Sequence, residues 1–121
     1  MMSKILIVED SKLEADKLTK CLESIGFTIL VVTSGEEAEI RLKTFKPNLI
    51  VLDVILPGES GFELCRKLKA GAATQHIPVV IYSTKDKDID RTWGGMSGAD
   101  AYLSKKIDEL TLLHTVRQLI G

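Results

Sequence analysis

Five short apolar runs alternate along the chain with five longer stretches of helical period, and this alternation leaves few ways to fold. The runs lie at residues 5–8, 27–32, 49–52, 78–83 and 101–103. The first four are continuous and rich in Val, Ile and Leu, as strands covered on both faces are; the fifth is short. Between them, Leu18, Cys21, Leu22 and Ile25 recur at helix spacing, with Gly26 where a helix would stop. Ser34 and Glu37 frame a capping box ahead of Ala38, Leu42 and Phe45, and Pro47 closes that segment. Phe62, Cys65 and Leu68 mark a third helix, and Ile89, Trp93 and Met96 a fourth, with Gly98 behind it. Leu110, Leu113, Val116 and Ile120 mark a fifth, which Asp108 would cap. The pattern predicts an α/β fold: a doubly wound (βα)5 sheet of five parallel strands, with right-handed crossovers and helices on both faces.

A chain of 121 residues fits one domain, expected here to span residues 1–121 with no output domain after the fifth helix. Its size supports a single core without staples. With 45% hydrophobic and 27% charged residues it is no disordered chain. A net charge of −1 argues against nucleic-acid binding. No apolar run approaches the roughly 18 residues of a membrane span. Residues 1–10 do not read as a signal peptide, because Glu9 and Asp10 follow only a short apolar run. Cys21 and Cys65 give neither a disulfide framework nor metal spacing, so a reducing, cytoplasmic setting is expected.

In a sheet of this kind the ligand site lies beyond the carboxyl ends of the strands. Glu9, Asp10 and Ser11 follow the first run, Asp53 follows the third, Ser83 and Thr84 end the fourth, and Lys105 and Lys106 follow the fifth. The topology therefore gathers three carboxylates, a hydroxyl and an ammonium at one edge. Carboxylates crowded in a partly buried site repel one another. A hard divalent cation relieves that, and Mg²⁺ typically takes one or two carboxylates plus waters and substrate oxygens. Lysine and a small hydroxyl suit phosphoryl oxygens, and an aspartate among them can act as the nucleophile that becomes an aspartyl phosphate. Each residue alone has a plainer reading: Glu9 or Asp10 as a helix cap, Ser83 in a turn, Lys105 in solvent. Asp53 resists this, because an acid ending a fully apolar run costs burial without a functional return.

The set as a whole resembles the receiver domain of two-component response regulators, of the chemotaxis single-domain type, over essentially the full length. Glu9 and Asp10 match the family's acidic pair, Asp53 its phosphoacceptor, and Pro57 and Gly61 its Asp-x-x-x-Pro-x-x-x-Gly loop. Ser83 matches its Ser/Thr, Tyr102 its switch aromatic and Lys105 its lysine. The stretch 83–94 looks like receivers of twitching-motility and phototaxis pathways. The resemblance implies a flavodoxin-like sheet in the order 2-1-3-4-5. It implies a phosphoacceptor signalling protein rather than an enzyme, with only Mg²⁺-dependent self-phosphorylation and autodephosphorylation. A histidine kinase or its phosphotransfer domain would phosphorylate Asp53. Asp10, Asp53 and the backbone carbonyl of Ile55 would hold Mg²⁺, with Glu9 acting through water. Ser83 and Lys105 would bind the phosphoryl group, Ser83 and Tyr102 would shift, and a target protein would read the face of helix four, strand five and helix five.

Two positions depart from the family pattern. Lys106 stands where proline usually follows the lysine through a cis bond, and Ile55 is apolar where the family is often polar. A cis bond before a non-proline residue costs about 2.5–4 kcal/mol, so Lys105–Lys106 is expected trans. Lys106 is also the best support for the alternative of a degenerate receiver that acts as a phosphorylation-independent interaction module. Two other classes fit less well. An FMN binder would need phosphate-cradling Ser, Thr and Gly donors where Glu9 and Asp10 stand. Phosphatases with an aspartyl nucleophile resemble an Asp-x-Asp pattern where this chain has Glu9-Asp10-Ser11. Cys21 and Cys65 read as core thiols and His76 and His114 as surface residues. Trp93 reads as core packing at least as readily as partner contact.

Overall fold

The structure is a computed structural model, and it describes residues 3–121. Met1 and Met2, where the segment read against a signal peptide begins, lie outside the described residues. The elements follow in the order β1 (Lys4–Val8), α1 (Lys12–Glu23), β2 (Thr28–Val32), α2 (Gly35–Arg41), β3 (Leu49–Leu52), α3 (Gly61–Ala70), β4 (Val79–Ser83), α4 (Asp88–Met96), β5 (Ala101–Ser104) and α5 (Glu109–Ile120). The strands form one parallel sheet in the order β2-β1-β3-β4-β5, the flavodoxin-like arrangement.

Alternate residues of the central strands feed opposite faces, as the pleat requires. Ile5, Ile7, Leu49, Val51 and Val80 pack against Leu18, Cys21 and Leu22 of α1 and Leu112 and Val116 of α5. Leu6, Val8, Ile50, Leu52, Val79 and Ile81 pack on the other face with Ala38, Leu64, Cys65 and Leu68. β1 and β3 lie in the middle of this sandwich, and the burial of their ends carries over to Glu9 and Asp53.

Helix starts are set by side-chain caps. The hydroxyls of Ser11, Ser34 and Ser60 accept from the N–H groups of Glu14, Glu37 and Glu63, and Asp108 accepts from Thr111 N–H at 2.7 Å. The cap of α1 therefore belongs to Ser11, which leaves Glu9 and Asp10 free of that duty.

Three expectations need correction. Helix α2 ends at Arg41, short of Phe45, although Phe45 N–H still reaches the Arg41 carbonyl at 2.8 Å. Strand β5 runs one residue further than its apolar run, to Ser104, which pairs in register with Ser83. The apolar stripe of α4 does not face the core. Ile89, Trp93 and Met96 are 60%, 49% and 72% exposed, and Gly94 is the buried residue of that helix. Gly94 lies against the Tyr102 ring so closely that a Cβ would overlap it. The helix thus packs on the edge strand through its backbone and turns its large side chains outward. His76 and His114 are exposed, and Cys21 and Cys65 are buried free thiols, as expected.

Gly61 begins α3 directly beneath the carboxyl end of β3. Its N–H donates to the Val54 carbonyl at 2.9 Å, and a Cβ there would overlap the Asp53 carbonyl oxygen. Gly61→Ala is expected to lower stability by about 1–3 kcal/mol in urea unfolding, because overpacking outweighs the gain in helix propensity. An unchanged midpoint would contradict this close approach.

Candidate functional site

The carboxyl ends of β1, β3, β4 and β5 bring Glu9, Asp53, Ser83 and Lys105 into direct contact. Asp53 follows β3 and is 8% exposed; Glu9 follows β1 and is 6% exposed. One Asp53 oxygen, Oδ1, accepts from Val54 N–H at 2.6 Å, from Ile55 N–H at 3.3 Å and from the Ser83 hydroxyl at 2.5 Å. The other, Oδ2, accepts from Lys105 Nζ at 2.9 Å. The same ammonium donates to Glu9 Oε1 and lies 3.8 Å from Glu14 Oε1. Glu9 Oε2 accepts from Ser11 N–H at 3.0 Å, which ties the carboxylate to the start of α1. The repulsion expected between carboxylates at this edge is thus relieved by Lys105.

These contacts move the protonation equilibria in different directions. Burial pushes the Asp53 carboxyl up, but the Ser83 and Lys105 hydrogen bonds outweigh it and hold it below the usual carboxylate range. At Glu9 burial dominates over the Lys105 bond and raises the carboxyl. Burial alone would lower Lys105; its bonds to Glu9 and Asp53 prevail and raise it.

The remaining predicted residues lie around this cluster. Asp10 is exposed beside Glu9, and among the described residues it makes no side-chain hydrogen bond or ion pair. Ile55 is exposed, with its N–H turned to Asp53. Among the described residues no three His, Cys, Asp or Glu side chains form a metal cage of their own. Tyr102 is half-buried on β5; its hydroxyl donates to the Lys85 carbonyl, and the Arg91 guanidinium lies 5.4 Å from its ring centroid. Burial, with Asp90 nearby, pushes its phenol up to about 12. The Lys105–Lys106 bond is trans, as expected.

Sequence reasoning missed Ser104 and Asp86. Ser104 is buried, and its hydroxyl donates to Asp86 Oδ2 at 2.7 Å and accepts from Lys106 N–H at 3.1 Å. The sign available in the sequence was a small polar residue directly before the lysine, a weak signal on its own.

Comparison with known proteins bears on the family and the fold. The model of the response regulator receiver domain family matches residues 5–117. The chain belongs to this family. The receiver is 40% identical over 120 residues to Protein PilH of Pseudomonas aeruginosa, covering 99% of each chain. Among solved structures, a putative response regulator from Chloroflexus aurantiacus superimposes with a TM-score of 0.95 at 27% identity, covering 99% of this chain and 98% of that one. The receiver domain of a sensor histidine kinase from Pseudomonas aeruginosa shares the fold, with a TM-score of 0.91 at 23% identity over 100% of this chain and 99% of that one. That structure has a magnesium ion coordinated in its active-site cleft. The protein is thus a receiver-type signalling domain of two-component systems.

Removing the Lys105 ammonium leaves two buried carboxylates without their cation. Lys105→Met is expected to cost about 3 kcal/mol at pH 7. Both carboxyls would then bind protons more readily in the folded than in the unfolded chain, so stability rises as pH falls. The deficit should therefore shrink between pH 7 and pH 5 in paired denaturation curves; a constant deficit would contradict the pairing.

Proposed function

We propose that this receiver accepts a phosphoryl group on Asp53 from a histidine kinase or its phosphotransfer domain and passes the signal on by protein contact. The observation that carries the reading is the convergence on Asp53 of the Ser83 hydroxyl and the Lys105 ammonium, from two other strands. A carboxylate held below its usual range stays ionised and nucleophilic at neutral pH. In the transfer, an Asp53 oxygen attacks phosphorus and the P–N bond to the kinase imidazole breaks. The imidazole takes the bonding electron pair and leaves neutral once protonated. Ser83 and Lys105, released from the carboxylate, turn to the phosphoryl oxygens.

The donor set fits Mg²⁺. It consists of hard oxygens, and two carboxylates against one ammonium leave excess negative charge before Asp10 is counted. The Ile55 carbonyl accepts no hydrogen bond among the described residues. Asp10, Asp53 and the Ile55 carbonyl would hold the ion, and Glu9 would act through water. When bound, the ion neutralises charge on the carboxylates and on the transferring phosphoryl oxygens.

Ser83 and Tyr102 would carry the change outward, because both contact Lys85 on the β4–α4 loop. A target protein would read the α4-β5-α5 face, where Arg91 of α4 contacts Tyr102 of β5 and Leu110 of α5 is exposed. A cytoplasmic setting suits such partners, and no helix among the described residues is long and apolar enough to cross a membrane. Lys106 leaves Lys105 in contact with Asp53, which removes the main support for a degenerate receiver. Incubation with acetyl phosphate and Mg²⁺ should add a single phosphoryl group by intact mass, and Asp53→Asn should abolish it. Undiminished labelling of that variant would refute the assignment.

A further inference from the structure

Strands β4 and β5 end side by side, with Ser83 in register with Ser104 and Lys105 N–H donating to the Ser83 carbonyl at 3.0 Å. Beyond that point the two chains separate into the loops 84–87 and 105–108. Ser83 and Lys105 must nevertheless meet the same carboxylate from these diverging segments. Their side chains reach it only if the loops keep a fixed offset.

One buried side chain spans the gap. Ser104 uses its hydroxyl twice, accepting from Lys106 N–H at 3.1 Å and donating to Asp86 Oδ2 at 2.7 Å. The first bond is a serine turn that fixes the backbone around Lys105. Ile107 N–H closes the same turn onto the Ser104 carbonyl at 3.1 Å. The second bond ties that turn to the loop that carries Ser83, Lys85 and Asp86. Lys85 N–H in turn donates to the Ser83 hydroxyl at 3.2 Å. Lys106 Nζ lies 3.7 Å from Asp86 Oδ2 but is mostly exposed, so the hydroxyl carries the tie. The Ser104 bond also holds the Asp86 carboxyl below its usual range, so Asp86 remains an ionised acceptor at neutral pH.

We propose that Ser104 and Asp86 are positioning residues for phosphoryl transfer, clamping the loop of Lys105 to the loop of Ser83. The proposal rests on the phosphoacceptor reading of Asp53. Neither residue touches the Asp53 carboxylate; they act through the placement of the two side chains that do. Both are needed together, because each supplies one end of a single bond. Loss of that bond lets Lys105 and Ser83 drift relative to each other, and small displacements of catalytic groups are costly in rate.

The test measures phosphorylation of the full chain by acetyl phosphate at saturating Mg²⁺, across a series of donor concentrations, with melting temperature recorded in parallel. Ser104→Ala and Asp86→Ala, each of which removes one end of the bond, should each lower the maximal rate about tenfold, within what a displacement of about an ångström costs. The donor concentration at half-maximal rate should not change. The double variant should be no slower than Ser104→Ala alone, and Ser104→Thr, which keeps the hydroxyl, should keep the wild-type rate. Wild-type rates in the single variants, with only a lower melting temperature, would overturn the proposal. So would effects that multiply in the double variant. Failure of the wild type itself to take up a phosphoryl group would refute the reading of Asp53, and this proposal with it. A labelled wild type with undisturbed variants would refute the positioning role alone.

Discussion

The Lys105 ammonium between Glu9 and Asp53 is the interaction on which the rest of the site depends. Two carboxylates at the ends of central strands, both nearly out of solvent, cannot stay ionised there without a cation. The fold supplies that cation from β5, the edge strand, across the top of β4. The strand order decides the chemistry: β1 and β3 bring the acids together, and β4 and β5 bring the hydroxyl and the ammonium to the same point. In the proposed transfer a divalent cation and phosphoryl oxygens would engage the groups that now hold Lys105.

A second constraint links this cluster to the surface. The β4–α4 loop is held at Ser83, at the Lys85 carbonyl by Tyr102 and at Asp86 by Ser104. Gly94 lets α4 settle on the Tyr102 ring, and Arg91 lies over that ring and donates to the Tyr102 carbonyl at 3.1 Å. A change at Asp53 therefore has a short covalent and hydrogen-bonded route to the exposed apolar residues of α4. This arrangement explains why the stripe of Ile89, Trp93 and Met96 looks like a core face in sequence and lies in solvent in the structure. The periodicity reports amphipathic character and does not say which side of the helix the fold covers.

The alternation of apolar runs and helical stretches was enough to read the sheet, its parallel strands and the residues at its strand ends. Asp53, Ser83, Lys105 and Glu9 were legible because strand ends in such folds converge, so position alone brought them together. Less was legible where a single hydrogen bond decides. Ser11, rather than Asp10, caps α1. Helix α2 stops at Arg41 although the apolar spacing continues to Phe45. Ser104 gave no periodic signal, because its importance lies in a contact with Asp86 from a different loop. The relief of carboxylate repulsion by Lys105 was also out of reach, since a lysine after a strand reads equally well as a solvated side chain.

The central claim is that these strand ends make Asp53 the group that accepts phosphorus. The direct measurement is chemical location of the modification. Wild-type protein treated with acetyl phosphate and Mg²⁺ is reduced with borohydride, which converts an aspartyl phosphate to homoserine, then digested and sequenced by tandem mass spectrometry. The account predicts homoserine in place of Asp53 and at no other carboxylate. Reduction at Glu9 or Asp10, or a phosphoryl group that survives borohydride on a serine or histidine, would contradict it.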